Sequence, residues 1–188
     1  LNSTGSEQWR YDYQDNVNDI AVENNNIYIV GDNYNGKVVK LVDEGSSFSG
    51  PEWNYDWNDD IYSVAVEDGN LYVGGGQFGN PDGEVVKLVD EGSSFSGPEW
   101  TYNYVQVNDV AVENSNVYVG GTNDNAVKLV DEGSSFSGPE WTYDYGINVQ
   151  SISLEGNNIF LGGRDSVISV VKLVDEGSSF SGPEWTYS

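Results

Sequence analysis

Carboxylates are the only abundant side chains in this sequence that could perform acid–base or metal chemistry. The chain has 31 Asp and Glu residues but no His and no Cys. Zinc sites and the common nucleophile–base pairs need His or Cys, so we expect no catalytic residue, no metal site and no cofactor. Two carboxylates sharing a cleft could hydrolyse a glycoside. Most acidic pairs, however, stand at repeated positions such as Asp43 and Glu44, which favours solvated acidic loops.

Two acidic features could still attract a cation. Residues 32–36 begin like a calcium loop, but the distal Glu of that motif is missing. Four equivalent glutamates each end an apolar segment and could form a ring at one mouth of a channel: Glu23, Glu67, Glu113 and Glu155. In both places solvated carboxylates are the simpler interpretation.

The net charge of −24 excludes several classes of partner. A nucleic-acid binder needs a basic footprint, and no apolar stretch is long enough for a membrane helix. Extreme acidity with few lysines resembles proteins of halophilic archaea, whose self-repulsion is screened by salt; an ordinary acidic extracellular protein is the alternative. We predict an extracellular or cell-surface location, where the sequon at Asn2 would be a glycosylation site.

The same stretch of 14 residues occurs four times without change, at 40–53, 87–100, 128–141 and 172–185. Its tryptophans lie 47, 41 and 44 residues apart, which is typical of propeller blades. Each unit contains four short apolar segments separated by Asn- and Gly-rich turns. The sequence therefore predicts an all-β propeller of four-stranded antiparallel blades in one domain, 1–188. We place its tail at 1–16 and its blades at about 17–57, 58–104, 105–145 and 146–188.

The repeat resembles that of quinoprotein-type (pyrroloquinoline-quinone-like) propellers. The resemblance rests on Val117-Tyr118-Val119-Gly120-Gly121, then Val127-Lys128-Leu129, Gly133 and Trp141-Thr142-Tyr143. It implies that the outer-strand tryptophan of each unit docks between neighbouring blades, at Trp53, Trp100, Trp141 and Trp185. The adjacent Cys pair of the cofactor-using dehydrogenases is absent, so the resemblance favours the fold more than a quinone-dependent enzyme.

Differences between the repeats concentrate in two connections that should emerge on one face of a propeller. Variable loops on a constant scaffold are where binding is usually built, although neutral drift after duplication is an alternative. The candidate ligand-binding residues on this face are Tyr34, Trp57, Phe78, Tyr104, Tyr145 and Arg164.

The segment Gln8-Trp9-Arg10-Tyr11-Asp12-Tyr13 resembles the Trp strand that ends each unit, so there are five Trp strands for four blades. The two ends of the chain could compete for one blade, the chain could come from a longer array, or Trp9, Tyr11 and Tyr13 could complete a blade of a neighbour. We favour a non-catalytic, secreted interaction or assembly module whose partner is another copy, in an oligomer or filament, or an extracellular protein or glycan. A ligand-binding propeller is the alternative, and a quinone-dependent dehydrogenase or a hydrolase is favoured less.

Overall fold

The computed structural model describes residues 6–32, 36–76, 82–164 and 168–187. Within these ranges the chain forms 16 strands and no helix. The strands form four antiparallel sheets of four strands each, so the predicted fold class is confirmed. Among the described residues, none belongs to a helix long and apolar enough to cross a membrane.

Each sheet uses four consecutive strands in chain order, and we number the sheets as blades 1 to 4. Blade 1 contains β1 (Val17–Glu23), β2 (Asn26–Gly31), β3 (Lys37–Asp43) and β4 (Phe48–Asp56). Blade 2 contains β5 (Ile61–Glu67), β6 (Asn70–Gly75), β7 (Gly83–Asp90) and β8 (Phe95–Tyr104). Blade 3 contains β9 (Val107–Glu113), β10 (Asn116–Gly121), β11 (Asn125–Asp131) and β12 (Phe136–Asp144). Blade 4 contains β13 (Val149–Glu155), β14 (Asn158–Arg164), β15 (Ile168–Asp175) and β16 (Phe180–Tyr187).

Tight turns join the first two strands of each blade. In blade 1, Asn24 and Asn25 have φ angles of 48° and 68°. The equivalent pair in blade 2, Asp68 and Gly69, has φ angles of 51° and 74°. Two consecutive positive φ angles match the twist of the flanking strands, and Asn, Asp and Gly adopt them at little cost.

The fourth strand begins five residues before its tryptophan. In blade 1, β4 starts at Phe48 and pairs with β3 across a register shift between Lys40 and Val42. The shift lets Phe48 reach the face of the blade, where it contributes an aromatic ring to packing. The equivalent Phe95, Phe136 and Phe180 also begin their strands.

Among the described residues the hydrophobic core has four clusters. Three are layers between neighbouring blades, and the fourth is formed by Ile29, Val39 and Leu41 of blade 1 with Tyr11 and Tyr13 of the N-terminal segment packed against it. In the layer between blades 1 and 2, Tyr28 and Trp53 pack with Ile61, Val64 and Leu88. Each layer is made by side chains of two sheets, because every sheet is apolar on both sides. A blade therefore depends on its neighbours for burial.

Blades 1 and 4, at the two ends of this array, do not cover each other. On β1, Val17, Ile20 and Val22 are 44%, 52% and 63% exposed. On β16, Trp185 and Tyr187 are 46% and 73% exposed. The four blades thus form an open array, with the outer face of blade 4 uncovered at one end and strand β1 uncovered at the other.

Candidate interaction site at the blade faces

Neighbouring blades meet through two chemically different faces. We call the face turned toward the next blade in the chain the leading face; it carries a Tyr, a Lys and a Trp from the second, third and fourth strands. The trailing face carries apolar residues of the first strand, an Asp that ends the third strand and a Phe that begins the fourth. At the first interface the leading residues are Tyr28, Lys40 and Trp53, and the trailing residues are Ile61, Val64, Asp90 and Phe95.

The carboxylate of Asp90 is the centre of this interface. Lys40 Nζ donates to its Oδ2 at 2.6 Å and to the carbonyl oxygen of Gly92 at 2.8 Å. Tyr28 Oη donates to the same Oδ2 at 2.8 Å, and Trp53 Nε1 donates to Oδ1 at 3.0 Å. The Lys40 and Asp90 side chains are only 3% and 7% exposed. A buried charge is tolerated only when it is paired and hydrogen-bonded, and this docking cluster meets both conditions.

The docking cluster recurs at the next two interfaces. Lys87 pairs with Asp131 at 2.5 Å, and Lys128 pairs with Asp175 at 2.6 Å. Burial alone would raise the pKa of each Asp carboxyl, but hydrogen bonds from the Lys, Trp and Tyr outweigh it, so the pKa values of Asp90, Asp131 and Asp175 lie below the ordinary range. The ion pairs therefore remain formed well into the acid range.

In the second, third and fourth repeats the acidic pair divides into an Asp with a buried side chain and an exposed Glu. Asp131 is buried in a docking cluster, whereas its neighbour Glu132 is exposed. The expectation of a solvated loop is therefore wrong for the Asp. Each repeat has one Lys three residues before its Asp, and these four account for all but one of the five lysines in the chain. This fixed position of a scarce cation was a usable signal for buried ion pairs, and the sequence analysis missed it.

Two of the four glutamates that end the inner strands, Glu23 and Glu67, accept hydrogen bonds from backbone N–H groups of the next blade. The Glu23 carboxylate accepts hydrogen bonds from the N–H groups of Asp68 and Gly69, at 2.7 and 2.8 Å. Glu67 does the same for Asn114 and Ser115, at 2.6 and 2.7 Å. Each glutamate thus fixes the first turn of the following blade. Within the described ranges, no group of three or more acidic side chains is arranged to hold a metal ion.

The N-terminal segment, residues 9–13, takes the place of an outer strand from a preceding blade. Trp9 Nε1 donates to Asp43 Oδ1 at 3.2 Å and its ring lies 5.1 Å from that of Phe48. Trp53 has the same ring distance, 5.1 Å, to Phe95. Tyr13 Oη donates to the carbonyl oxygen of Lys37 at 2.6 Å. The segment thus covers β2, β3 and the start of β4 on the trailing face of blade 1 and leaves β1 exposed.

The leading face of blade 4 has the Lys and the Trp of a docking cluster, with Phe160 at the Tyr position, but no neighbouring blade. Lys172 is paired with Trp185 across β15 and β16, as Lys40 is with Trp53. The Phe160 and Trp185 rings lie 6.2 Å apart, close to the 6.0 Å between Tyr28 and Trp53. Among the described residues, no carboxylate lies within ion-pair distance of Lys172. The face is therefore formed but unoccupied.

The predicted ligand-binding residues do not share one environment. Trp57 and Tyr104 are 4% and 7% exposed in the layers between blades. Tyr145 is half-buried and donates to the carbonyl oxygen of Ser169 at 2.6 Å, whereas Arg164 is exposed. Tyr34 and Phe78, like Asn2 and the centre of the calcium-like loop at 33–35, lie outside the described residues.

A shallow cleft of about 390 Å³ opens beside the second interface. Tyr102, Asn103, Tyr104, Asn123 and Asn125 are among the residues that line it. Tyr104 is 7% exposed, so the half-buried Tyr102 is the ring more open to a polar ligand. Of the predicted ligand-binding residues, Tyr104 borders this cleft.

No family model and no curated protein matches this chain. Solved structures do match. The computationally designed Ika4 protein has a TM-score of 0.66 at 12% identity, over 89% of this chain and 98% of its own. Sqt1 from Chaetomium thermophilum has a TM-score of 0.64 at 15% identity, and BamB from Moraxella catarrhalis 0.60 at 16%. The matches cover 86% and 89% of this chain but 44% and 47% of Sqt1 and BamB.

The fold is a β-propeller fold. The matched structures have this fold in common with the four-stranded blades described above. Because all identities lie at or below 16% in these comparisons, the likeness establishes architecture alone. The chain spans about half the length of Sqt1 and of BamB.

Proposed function

We propose that this chain is a non-catalytic interaction and assembly module of a secreted protein from a halophile, of the kind found in surface layers, appendages or fibres. The observation that carries the proposal is the leading face of blade 4. Trp185 and Tyr187 are 46% and 73% exposed there, although the equivalent Trp100 is 7% exposed inside the array. Exposed aromatic residues on a pre-arranged face mark a protein-binding surface.

The use of the charged residues supports a non-catalytic role. Three of the four repeat lysines form ion pairs in docking clusters. Glu23 and Glu67 accept hydrogen bonds from turns of the next blade. The remaining surface is strongly acidic, in line with the net charge of −24. Such a surface suits concentrated salt, where the Debye length falls to about 3 Å at 1 M.

Sedimentation of the wild-type chain and of a Trp185→Ser/Tyr187→Ser variant in about 2 M KCl, where surface repulsion is screened, tests this function. We expect the wild type to form species heavier than a monomer and the variant to remain monomeric. Thr186→Ser is the matched control, because Thr186 lies in the same strand at a position that is also exposed in the inner blades. Association that is absent from the wild type, or unchanged in the double variant, contradicts the proposal.

A ligand-binding role at the cleft of Tyr102 and Tyr104 is the second candidate. The cleft places the half-buried Tyr102 beside Asn103, Asn123 and Asn125, a combination that fits a carbohydrate. A glycan array probed with the wild type and with Asn125→Ala tests it. Binding of a defined glycan class that the variant loses supports this role, and uniform lack of binding by the wild type contradicts it.

A further inference from the structure

The trailing face of blade 1 carries the half of an interface that the leading face of blade 4 lacks. Asp43 and Phe48 stand where Asp90 and Phe95 stand in blade 2. On the first strand, Val17 and Ile20 stand where Ile61 and Val64 stand. The blade 2 residues are buried, at 0% and 5% exposure for Ile61 and Val64, whereas Val17 and Ile20 are 44% and 52% exposed.

The two end faces also match in shape. A Cβ on Gly74 would lie 2.5 Å from Val107 of the next blade, and one on Gly120 would lie 2.4 Å from Val149. Each of these glycines leaves a hollow that receives a Val from the first strand of the following blade. On the leading face of blade 4, the equivalent Gly162 has no atom of another blade within 4 Å. The hollow at Gly162 is therefore not filled by another blade. Val17 of blade 1 stands at the position of the inserted residue and is 44% exposed, because no preceding blade receives it.

We propose that the leading face of blade 4 binds the trailing face of blade 1 of a second copy of this chain. The inference rests on the proposed assembly function and names its partner. Lys172 of one copy pairs with Asp43 of the next, and Trp185 donates to the same carboxylate. This contact continues the three interfaces that already exist within the chain. Because it joins two different surfaces, it is heterologous and can extend to further copies or close into a ring.

The N-terminal segment 9–13 of the same chain competes with a second copy for this surface. Trp9 occupies the acceptor on Asp43 and the ring of Phe48 that Trp185 would use. Its Tyr11 and Tyr13 also pack on Ile29, Val39 and Leu41, so only β1 stays uncovered on this face. The segment supplies no lysine to Asp43, since its one basic residue, Arg10, is bonded to Glu7 at 2.7 Å. Docking of a second copy therefore displaces the segment and adds the ion pair that it lacks.

Charge reversal separates this arrangement from other kinds of association. In about 2 M KCl, chosen for screening, we expect Lys172→Asp and Asp43→Lys each to weaken self-association at least about 30-fold, as loss of one partner of a buried pair does. An equimolar mixture restores it, because Lys172 of one variant meets Asp43 of the other. Glu44→Lys is the control, since the equivalent Glu91 stays exposed beside an occupied interface.

The mixing experiment has outcomes that overturn the inference. If the wild type associates but the mixture does not recover, the contact is not head-to-tail, and the assembly function stands without it. If each variant associates as well as the wild type, the partner does not use these faces. A wild type that stays monomeric at every concentration removes both the inference and the assembly function.

Two further variants test the competitor and the missing hydroxyl. Trp9→Ala frees the trailing face, so the dissociation constant for self-association should fall several-fold. Weaker association would instead assign the segment to completing a neighbour's blade.

Phe160→Tyr supplies the donor that Tyr28 gives to Asp90 at 2.8 Å. We expect it to tighten association on the order of tenfold, the effect of one hydrogen bond to a charged acceptor. No change in affinity would count against docking on Asp43.

Discussion

The interface between blades 2 and 3 and the uncovered face of blade 4 contain nearly the same side chains in different surroundings. Lys87 and Trp100 are 3% and 7% exposed. Lys172 and Trp185, from identical stretches of sequence, are half-buried and 46% exposed. The strand geometry around them is the same, so the difference comes only from the presence of a neighbouring blade. An identical repeat can thus serve as core in one place and as a binding surface in another.

The largest test of this comparison removes the lysine at both places. Lys87→Met keeps the length of the side chain but leaves Asp131 as a buried charge without its cation. We expect a loss of about 3–5 kcal/mol in the free energy of unfolding. Lys172→Met should cost less than about 0.5 kcal/mol. Urea unfolding at low micromolar concentration measures both; equal losses would show that the two lysines have the same surroundings in solution.

Acid should weaken the inner interfaces through their carboxylates. The pKa of Asp131 in the folded chain lies below its ordinary value of 3.8, since the hydrogen bonds from Lys87, Trp100 and Tyr72 outweigh burial. A lowered folded-state pKa gives stability that is complete above 3.8 and is lost as the pH falls through the folded-state value. The stability difference between the wild type and Asp131→Asn should therefore be constant from about pH 5 to 7 and shrink below about pH 4. A difference that grows on acidification would reverse the assigned sign.

A smaller test adds one methyl group to the hollow of each leading face. Gly74→Ala places a Cβ 2.5 Å from Val107 Cγ1, and we expect the overpacking to cost about 1–3 kcal/mol. In Gly162→Ala the nearest atom is Ser151 Cβ at 3.8 Å, so the monomer should lose no stability. The same substitution should block association, because the hollow at Gly162 is the proposed seat of Val17. Differential scanning calorimetry and sedimentation separate these two effects.

The repeat made most of the fold predictable, because apolar segments, Asn- and Gly-rich turns and a spacing of 41 to 47 residues are local features. The hydrogen bonds and ion pairs between blades were harder to predict from the sequence. Lys40 and Asp90 are 50 residues apart, and each repeat also has its own Asp three residues after its Lys. Only the packing of the sheets decides that a lysine pairs with the next blade rather than its own. The position of Trp9 on blade 1 depends on the same packing.

Added salt should change the stability difference between the wild type and a docking-cluster variant least of all, because salt screens the surface charges rather than the buried clusters. Screening of a net charge of −24 favours the compact chain, so the wild-type free energy of unfolding should rise from 0.1 to 1 M KCl, as the Debye length falls from about 10 to 3 Å. The Lys87–Asp131 pair is buried, and buried pairs are screened much less. The stability difference between the wild type and Lys87→Met should therefore stay constant over the same range. Urea unfolding of both chains at each salt concentration measures it. If the difference shrinks as salt is added, water and ions reach the cluster, and the contrast between a sealed inner interface and an open end face is weaker than the structure implies.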